Sequence, residues 1–419
     1  MKDIRILVSH PTANQNVRAA VAGLASARML DLFYTTLATF PGEVTDTLGE
    51  IGGLHGLKRR QFNPLLKPFT RTRPWLECAR LICTSLRLHS LVRHEHGVFC
   101  VDNVYKDLDR YVAGRLKNTT TGIYAYEDGA RRSFKKAKVI GIQCLYDLPI
   151  GYWRAAQMIF EREREKWPEW QMTLPGLRNS PMKLRNKDEE IRLADRIFVA
   201  STFTADTLRL YPGTLPPVAV IPYGFPPAVR DRSYSVSGPL RLLFVGGLTQ
   251  RKGIAYLFEA IRNLEPFVSL TVVGQPPPID CPALNMELRK HRWIRSAPHN
   301  DVLTLMRNHD VLVFPSLFEG FGLVITEAMS QGTPVITTGC TAGPDLIEHG
   351  NNGWLVRAGS TETIRNVLEA ILSDRKAIAT TGRAALETAR RRSWDVYGRE
   401  LAAALQSDVI VPKTITSYA

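Results

Sequence analysis

Val311-Leu312-Val313-Phe314-Pro315-Ser316-Leu317-Phe318-Glu319-Gly320-Phe321-Gly322-Leu323-Val324-Ile325-Thr326-Glu327-Ala328-Met329 is the stretch on which the reading of this chain turns. Four consecutive apolar residues, 311–314, predict a strand buried on both faces, the kind a parallel sheet requires. Pro315-Ser316 ends it, and a helix is expected over 323–331. Between them Gly320 and Gly322 let backbone N–H groups approach a ligand with no Cβ in the way. The helix N-terminus adds unpaired amides and the positive end of a dipole, which suits a diphosphate. Glu319 sits in the loop, and Glu327 lies about one turn into the helix, able to face the same ligand. Two carboxylates beside a phosphate site are costly unless they accept hydrogen bonds, and the hydroxyls of a sugar and a ribose would donate them. The plainer alternative is a strand-exit turn followed by a helix with an N-terminal carboxylate.

A second strand–turn–helix precedes it, Phe244-Val245-Gly246-Gly247-Leu248-Thr249-Gln250-Arg251-Lys252-Gly253-Ile254. Gly246 and Gly247 terminate the strand, and Arg251 and Lys252 stand just before the helix. A lysine there acts as a point charge on phosphate oxygens. Outward from these two motifs, strands expected at 240–245, 268–273, 311–314 and 335–338 alternate with helices at 255–264, 302–308, 323–331 and 361–372. The first half repeats the alternation. Strands fall at 4–10, 32–36, 122–126, 139–146, 195–201 and 218–222, and helices at 17–29, 75–89 and 204–210. Such order implies parallel sheets with right-handed crossovers. A chain of 419 residues exceeds one ordinary core. The expected fold is therefore α/β, two Rossmann-like doubly wound domains facing each other across a cleft, with ligands at the carboxyl ends of the strands. The expected boundaries are 1–225, a linker at 226–239 rich in Pro and Gly, 240–392, and a terminal helical segment 393–419.

Charged residues at 22% and hydrophobic residues at 44% describe a globular chain, not a disordered one. No run approaches the roughly 18–20 apolar residues of a membrane-spanning helix. Six cysteines are scattered without a C-x-x-C pair, and Met1 leads directly into a strand-like run, so a cytoplasmic location is expected. The net charge of +14 admits nucleic acid, an anionic membrane or a phosphorylated small molecule as partner, and equally a solvated basic face. Neither a stacking platform nor a reading helix accompanies the basic clusters, so no nucleic acid is expected.

From Leu240 to about Val356 the sequence resembles the retaining glycosyltransferases of family 4, which have the GT-B fold. The resemblance rests on Val245-Gly246-Gly247-Leu248 with Arg251-Lys252-Gly253, and on Pro315-Ser316 with Glu319-Gly320-Phe321-Gly322. It continues through Glu327-Ala328-Met329, Gly332-Thr333-Pro334-Val335-Ile336, Gly343 and Gly353-Trp354-Leu355-Val356. Glu319 and Glu327 have the spacing of the family's E-x7-E signature. The resemblance implies hexosyl transfer from a nucleoside-diphosphate sugar to an acceptor hydroxyl with retention, in cell-surface polysaccharide or glycolipid synthesis, without metal or other cofactor. It also implies roles: Glu319 on the donor sugar, Glu327 on the ribose, and the amides of Gly320, Phe321, Gly322 and Leu323 on sugar hydroxyls and diphosphate. Glu319 and Lys252 would be the catalytic pair, with Gly246, Gly247 and Arg251 completing the donor site. The acceptor side falls to the first domain, and the terminal segment from Ser393-Trp394 would cross back to it. Two departures stand out. Gly247 occupies a position where the family often has Arg. In the first half the glycine-rich loop is replaced by Pro11-Thr12-Ala13-Asn14-Gln15-Asn16, and a His-Asp pair by Tyr146-Asp147. His10, Asn14, Tyr146 and Asp147 are accordingly the second-tier, acceptor-side candidates.

Weaker signals remain. Asp107-Leu108-Asp109 has the form of a D-x-D metal motif, but it falls in a helical pattern and reads as a solvated helix face. Tyr126-Glu127-Asp128-Gly129-Ala130 follows a strand and reads either as part of the cleft or as an acidic turn. The basic segment 58–73, with Trp75 and an apolar helix behind it, suits an anionic membrane surface carrying a lipid-linked acceptor. Two other function classes fit the same fold: a sugar-nucleotide epimerase or phosphorylase, and a non-catalytic binder of nucleotide sugars or nucleic acid.

Overall fold

The computed structural model describes residues 4–42, 60–174, 179–234 and 237–407. Lys58 and Arg59 of the basic segment lie outside the described residues. Among those described, the strands form two sheets, and every pairing within them is parallel. The first contains β1 (Ile6–Ser9), β2 (Leu30–Thr35), β3 (Thr70–Thr72), β4 (Gly122–Tyr126), β5 (Gln143–Leu148), β6 (Arg196–Val199) and β7 (Val218–Val220), in the order β3-β2-β1-β4-β5-β6-β7. The second contains β8 (Leu240–Val245), β9 (Val268–Val273), β10 (Arg292–Ile294), β11 (Val311–Phe314), β12 (Val335–Thr338) and β13 (Trp354–Val356), in the order β10-β9-β8-β11-β12-β13. Helices cover both sheets, giving two Rossmann-like, doubly wound units. The strand order reverses between β1 and β4 in one sheet and between β8 and β11 in the other. A crevice opens at the carboxyl ends of the strands at such a switch point.

The strand expected at 139–146 is corrected by the structure. Val139 closes helix Arg131–Val139, Gly141 adopts the left-handed conformation (φ 71°) that stops it, and β5 begins only at Gln143. The helix expected over 75–89 ends at Ser85.

Two features tie the halves together. Helix Trp394–Gln406 lies along helix Gln15–Ser26 so closely that a Cβ on Gly23 would stand 2.3 Å from the Gly398 carbonyl oxygen. Only glycine at both positions permits that backbone approach. Between β5 and β6, helix Trp153–Lys166 is followed by a short 3-10 segment whose Trp170 stacks on Phe258 (centroids 6.0 Å) within the core under the second sheet.

Candidate functional site

The site forms at the ends of β8 and β11. Past β8, Gly246 has φ 149°. A Cβ on Gly274, at the end of β9, would meet the Gly246 carbonyl oxygen at 1.8 Å. The turn is thus pressed flat against its neighbour strand. Gly253, at φ 68°, lets the next turn touch the Pro315 carbonyl, where a Cβ would come within 2.0 Å. These approaches bring Gln250-Arg251-Lys252 against the loop that follows β11. Leu317 N–H donates to the Arg251 carbonyl (2.9 Å), and Ser316 Oγ donates to the same oxygen (3.1 Å).

One carboxylate oxygen, Glu319 Oε1, accepts from Arg251 (2.5 Å), from Lys252 Nζ and from Ser316 Oγ (3.3 Å). Arg251 also donates to the Phe318 carbonyl at 2.7 Å. The Lys252 ammonium lies 4.8 Å from the centre of the Phe314 ring and is largely buried. Burial pushes its pKa from 10.5 down to about 8; Glu319 opposes that shift and Arg251 adds to it. The cluster therefore holds two cations against one anion and carries a net positive charge while Lys252 is protonated. Gly247 faces open space, with no heavy atom within 4 Å of where a Cβ would stand.

Gly322, at φ 87°, turns the chain into helix Leu323–Ser330, whose first-turn amides lie at the same loop. Glu327 is partly buried one turn in, its Oε1 3.9 Å from His299 Nδ1. Burial raises the Glu327 pKa, against a lowering influence from His299. The structure thus brings Gly246, Arg251, Lys252, Glu319, Gly320, Phe321, Gly322, Leu323 and Glu327 to one edge of the second sheet. Glu319 is the member already engaged by both cations.

The second-tier residues do not form one group. Tyr146 and Asp147 are adjacent on β5 and so point to opposite faces. The Tyr146 hydroxyl reaches Glu190 at 3.2 Å within one core layer, while Asp147 is buried on the other and accepts from the Tyr124 hydroxyl at 2.5 Å. Burial lifts the Asp147 pKa to about 7, with the Tyr124 hydrogen bond pulling the other way. His10, at the end of β1, is buried, and its Nδ1 accepts the N–H groups of Thr12 (3.1 Å) and Ala13 (2.8 Å). Burial and Arg60 push its pKa to about 3, so the ring is neutral, with its proton on Nε2. Its edge meets Tyr126 at 4.7 Å. Asn14 precedes helix Gln15–Ser26 and accepts from the Thr12 hydroxyl at 3.2 Å.

The solvated-face reading of Asp107 and Asp109 is corrected. Asp107 pairs with Arg73 (3.0 Å), and buried Asp109 accepts the amides of Arg132 (2.7 Å) and Ser133 (2.8 Å) at the start of helix Arg131–Val139. Glu127 and Asp128 pair with Lys187 at 2.9 and 3.2 Å, a buried ion cluster beyond an acidic turn. A cavity of about 740 Å³ between helices Val101–Ala113, Arg131–Val139 and Pro181–Leu193 shares no lining residue with the Glu319 loops. Much of its charge is internally paired, as in Lys183–Asp102 (2.5 Å) and Lys135–Glu189 (2.8 Å). Among the described residues no group of three or more His, Cys, Asp or Glu side chains is arranged to hold a metal ion.

Residues 228–388 match the family model described as glycosyl transferases group 1. The chain is 30% identical to the glycogen synthase of Mycobacterium tuberculosis over 158 residues, 36% of this chain and 38% of that protein. It is 30% identical to the D-inositol 3-phosphate glycosyltransferase of Arthrobacter over 244 residues, 51% of this chain and 56% of that one. The aligned part thus spans between 38% and 56% of these relatives' length. The sucrose-phosphate synthase structure from Thermosynechococcus elongatus superposes over 96% of this chain and 98% of its own, with TM-score 0.64 and 17% identity. Anabaena HepE, in complex with UDP and glucose, does so over 96% and 99%, with TM-score 0.61 and 17% identity.

This chain has the GT-B fold.

The GT-B likeness runs through both halves, whereas the family match begins at residue 228. Some residues of the site escaped the sequence reading. Ser201 and Thr204 both donate to the Gly320 carbonyl, at 2.5 and 3.0 Å, and Asp345 accepts the Thr202 amide at 2.9 Å. Gln250 is held by Thr173 (2.9 Å to its amide) and Glu163 (2.8 Å to its side chain). Each of these bonds spans 77 or more residues of sequence, so no local spacing announces it.

Proposed function

We propose that this protein transfers a hexosyl unit from a nucleoside-diphosphate sugar to an acceptor hydroxyl, with retention of configuration, as a member of glycosyltransferase family 4. The observation that carries the reading is the Arg251–Glu319–Lys252 cluster set against the N-terminus of helix Leu323–Ser330. Two cations, one carboxylate and the helix N-terminus form a receptor for a diphosphate joined to a polyhydroxylated group. Lys252 and the amides stabilise charge developing on the leaving diphosphate. Glu319 orients the donor sugar, with Lys252 the catalytic pair, and Glu327 receives the ribose hydroxyls. Gly246 and Gly247 keep the floor open, and Arg251 completes the diphosphate grip. The two cations supply the positive charge a divalent ion would otherwise bring, in keeping with metal-independent transfer.

The first unit, over 1–225, takes the acceptor, with His10, Asn14, Tyr146 and Asp147 as its candidates. Residues 226–239 form the linker, 240–392 the donor unit and 393–419 the return segment. Of the four acceptor candidates, His10 is the one favoured by position, at the β1/β4 switch point. A glycan or lipid-linked acceptor is in keeping with a cytoplasmic enzyme working at the inner face of a membrane. Exposed Leu65, Trp75, Ile82 and Leu86 beside Lys67 and Arg71 support that surface, and no helix among the described residues is long and apolar enough to cross a bilayer.

A thermal-shift panel of nucleoside diphosphates and their hexose conjugates tests the donor assignment, followed by turnover with Glu319→Ala. Donor consumption abolished in a folded Glu319→Ala protein supports the reading. Epimerised donor formed without acceptor, or consumption unaffected by the substitution, refutes it.

A further inference from the structure

We propose that Ser201 and Thr204 are positioning residues for the donor sugar, acting across the two units through the Gly320–Phe321 peptide. Both side chains are fully buried at the start of helix Thr202–Thr207, and both hydroxyls donate to the Gly320 carbonyl, at 2.5 and 3.0 Å. Together they fill the two lone pairs of that oxygen. The C=O and N–H of a trans peptide point in opposite directions, so pinning the Gly320 carbonyl toward the first unit aims the Phe321 amide away from it. The next peptide is fixed likewise. Ala342 N–H donates to the Phe321 carbonyl (2.8 Å), which aims the Gly322 amide.

The first unit also packs closely around this clamp. A Cβ on Gly320 would lie 1.8 Å from the Pro149 carbonyl oxygen, and Thr202 closes the other side on Asp345 through its amide and hydroxyl. The diphosphate cations Arg251 and Lys252 come from the loop after β8; they meet the Gly320 loop at Phe318 and Glu319 and have no bond to Ser201 or Thr204. Resting on the nucleotide-sugar reading above, the arrangement divides the labour. The second unit supplies the side chains that grip the diphosphate, and Ser201 and Thr204 of the first unit set the amides that meet the sugar hydroxyls.

The test is calorimetric titration of the full chain with UDP and with UDP-glucose, and in parallel with GDP and GDP-mannose, for wild type, Thr204→Val, Thr204→Ser and Ser201→Ala/Thr204→Val. Val matches the shape of Thr without the hydroxyl, and Ser restores the hydroxyl alone. The expected result is a nucleoside-diphosphate affinity within about twofold of wild type in every variant. The sugar conjugate loses about threefold in Thr204→Val and about tenfold or more in the double variant, for one and two lost hydrogen bonds. Thr204→Ser recovers wild-type affinity. A double variant that holds the sugar conjugate within twofold of wild type overturns the inference and leaves the donor reading standing. Parallel loss of both ligands, with Thr204→Ser no better than Thr204→Val, also overturns it, because the residues are then only structural. A wild type that binds neither pair takes down the donor reading itself.

Discussion

Replacing Lys252 by Met should make the protein more stable while weakening the proposed diphosphate site. Lys252 has a folded-state pKa of about 8 against 10.5 for a free lysine, chiefly because burial strips its ammonium of water. At 1.36 kcal/mol per pKa unit the protonated form is disfavoured by the fold by about 3 kcal/mol, which solvent screening trims to about 2–3 kcal/mol. The sign follows from proton counts. Between pH 8 and 10.5 the unfolded chain holds the Lys252 proton and the native chain does not, so stability from this group rises with pH across that window. Below pH 8 the full penalty is present. Met is nearly isosteric with the neutral stem, and Glu319 keeps Arg251 at 2.5 Å as a partner, so no carboxylate is orphaned. Lys252→Met should therefore raise the melting temperature at pH 7 by roughly 2–3 °C. The gain should shrink toward zero as pH climbs from 8 to 10.5. Differential scanning calorimetry at pH 7, 8.5 and 10 reads this directly. Calorimetric binding of a nucleoside diphosphate at pH 7 should meanwhile weaken about 10–100-fold, the worth of one charge-assisted bond. A variant less stable than wild type at pH 7, or equally stabilised at pH 7 and 10, would refute the reasoning, since desolvation of the ammonium would not then govern the site.

Gly247→Arg should strengthen nucleoside-diphosphate binding up to about tenfold by calorimetry, because the position opens to free space and a third cation would reach the diphosphate; unchanged affinity would place Gly247 away from the ligand. Gly320→Ala should force the units apart, since its Cβ would stand 1.8 Å from the Pro149 oxygen. Small-angle scattering should report a larger radius of gyration than wild type, and an unchanged radius would show that the loop yields instead. Asp147→Asn should flatten the pH dependence of stability between pH 4 and 7. The Asp147 pKa is raised from 3.8 to about 7, so its contribution is full below 3.8 and lost as pH rises through 7. Asn keeps an acceptor for Tyr124, and the variant should exceed wild type by about 2–4 kcal/mol at pH 7 in urea unfolding while matching it at pH 3.5; equal curves at pH 7 would contradict the buried-carboxyl assignment.

Legibility in the sequence differed sharply between the halves, for physical reasons. The second sheet announces itself because strands such as Val311–Phe314 are buried on both faces and read as unbroken apolar runs. Gly253 and Gly322 stand where φ is positive, so they carry geometric information in their identity. In the first half the same inspection fails where partners are remote. Helix Arg131–Val139 is strongly polar, and its start is capped by Asp109 and Glu190, 22 residues upstream and 59 downstream of Arg131. Asp109 therefore looked like a solvated acid. Tyr146-Asp147 reads as a pair in one dimension, but strand alternation sends its members into different layers. Ser201 caps helix Thr202–Thr207, accepting the Thr204 amide at 3.1 Å, and nothing local in the sequence shows that its hydroxyl proton is spent on Gly320.

These remote contacts share a logic. Two loops of the proposed donor edge are braced by the first half, each at the residue next to its charged side chain. Gln250, beside Arg251, is held by Thr173 and Glu163; Gly320, beside Glu319, is held by Ser201 and Thr204. The braces are buried, so breaking them leaves polar groups unpaired at about 1–3 kcal/mol each unless water enters. Separation of the two units would therefore loosen both donor loops together, and their approach would restore both. Any closure of the two units would, on this geometry, assemble both loops of the proposed donor edge at once. That coupling explains why a site whose charged residues all lie in the second half should still depend on Ser201 and Glu163 in the first.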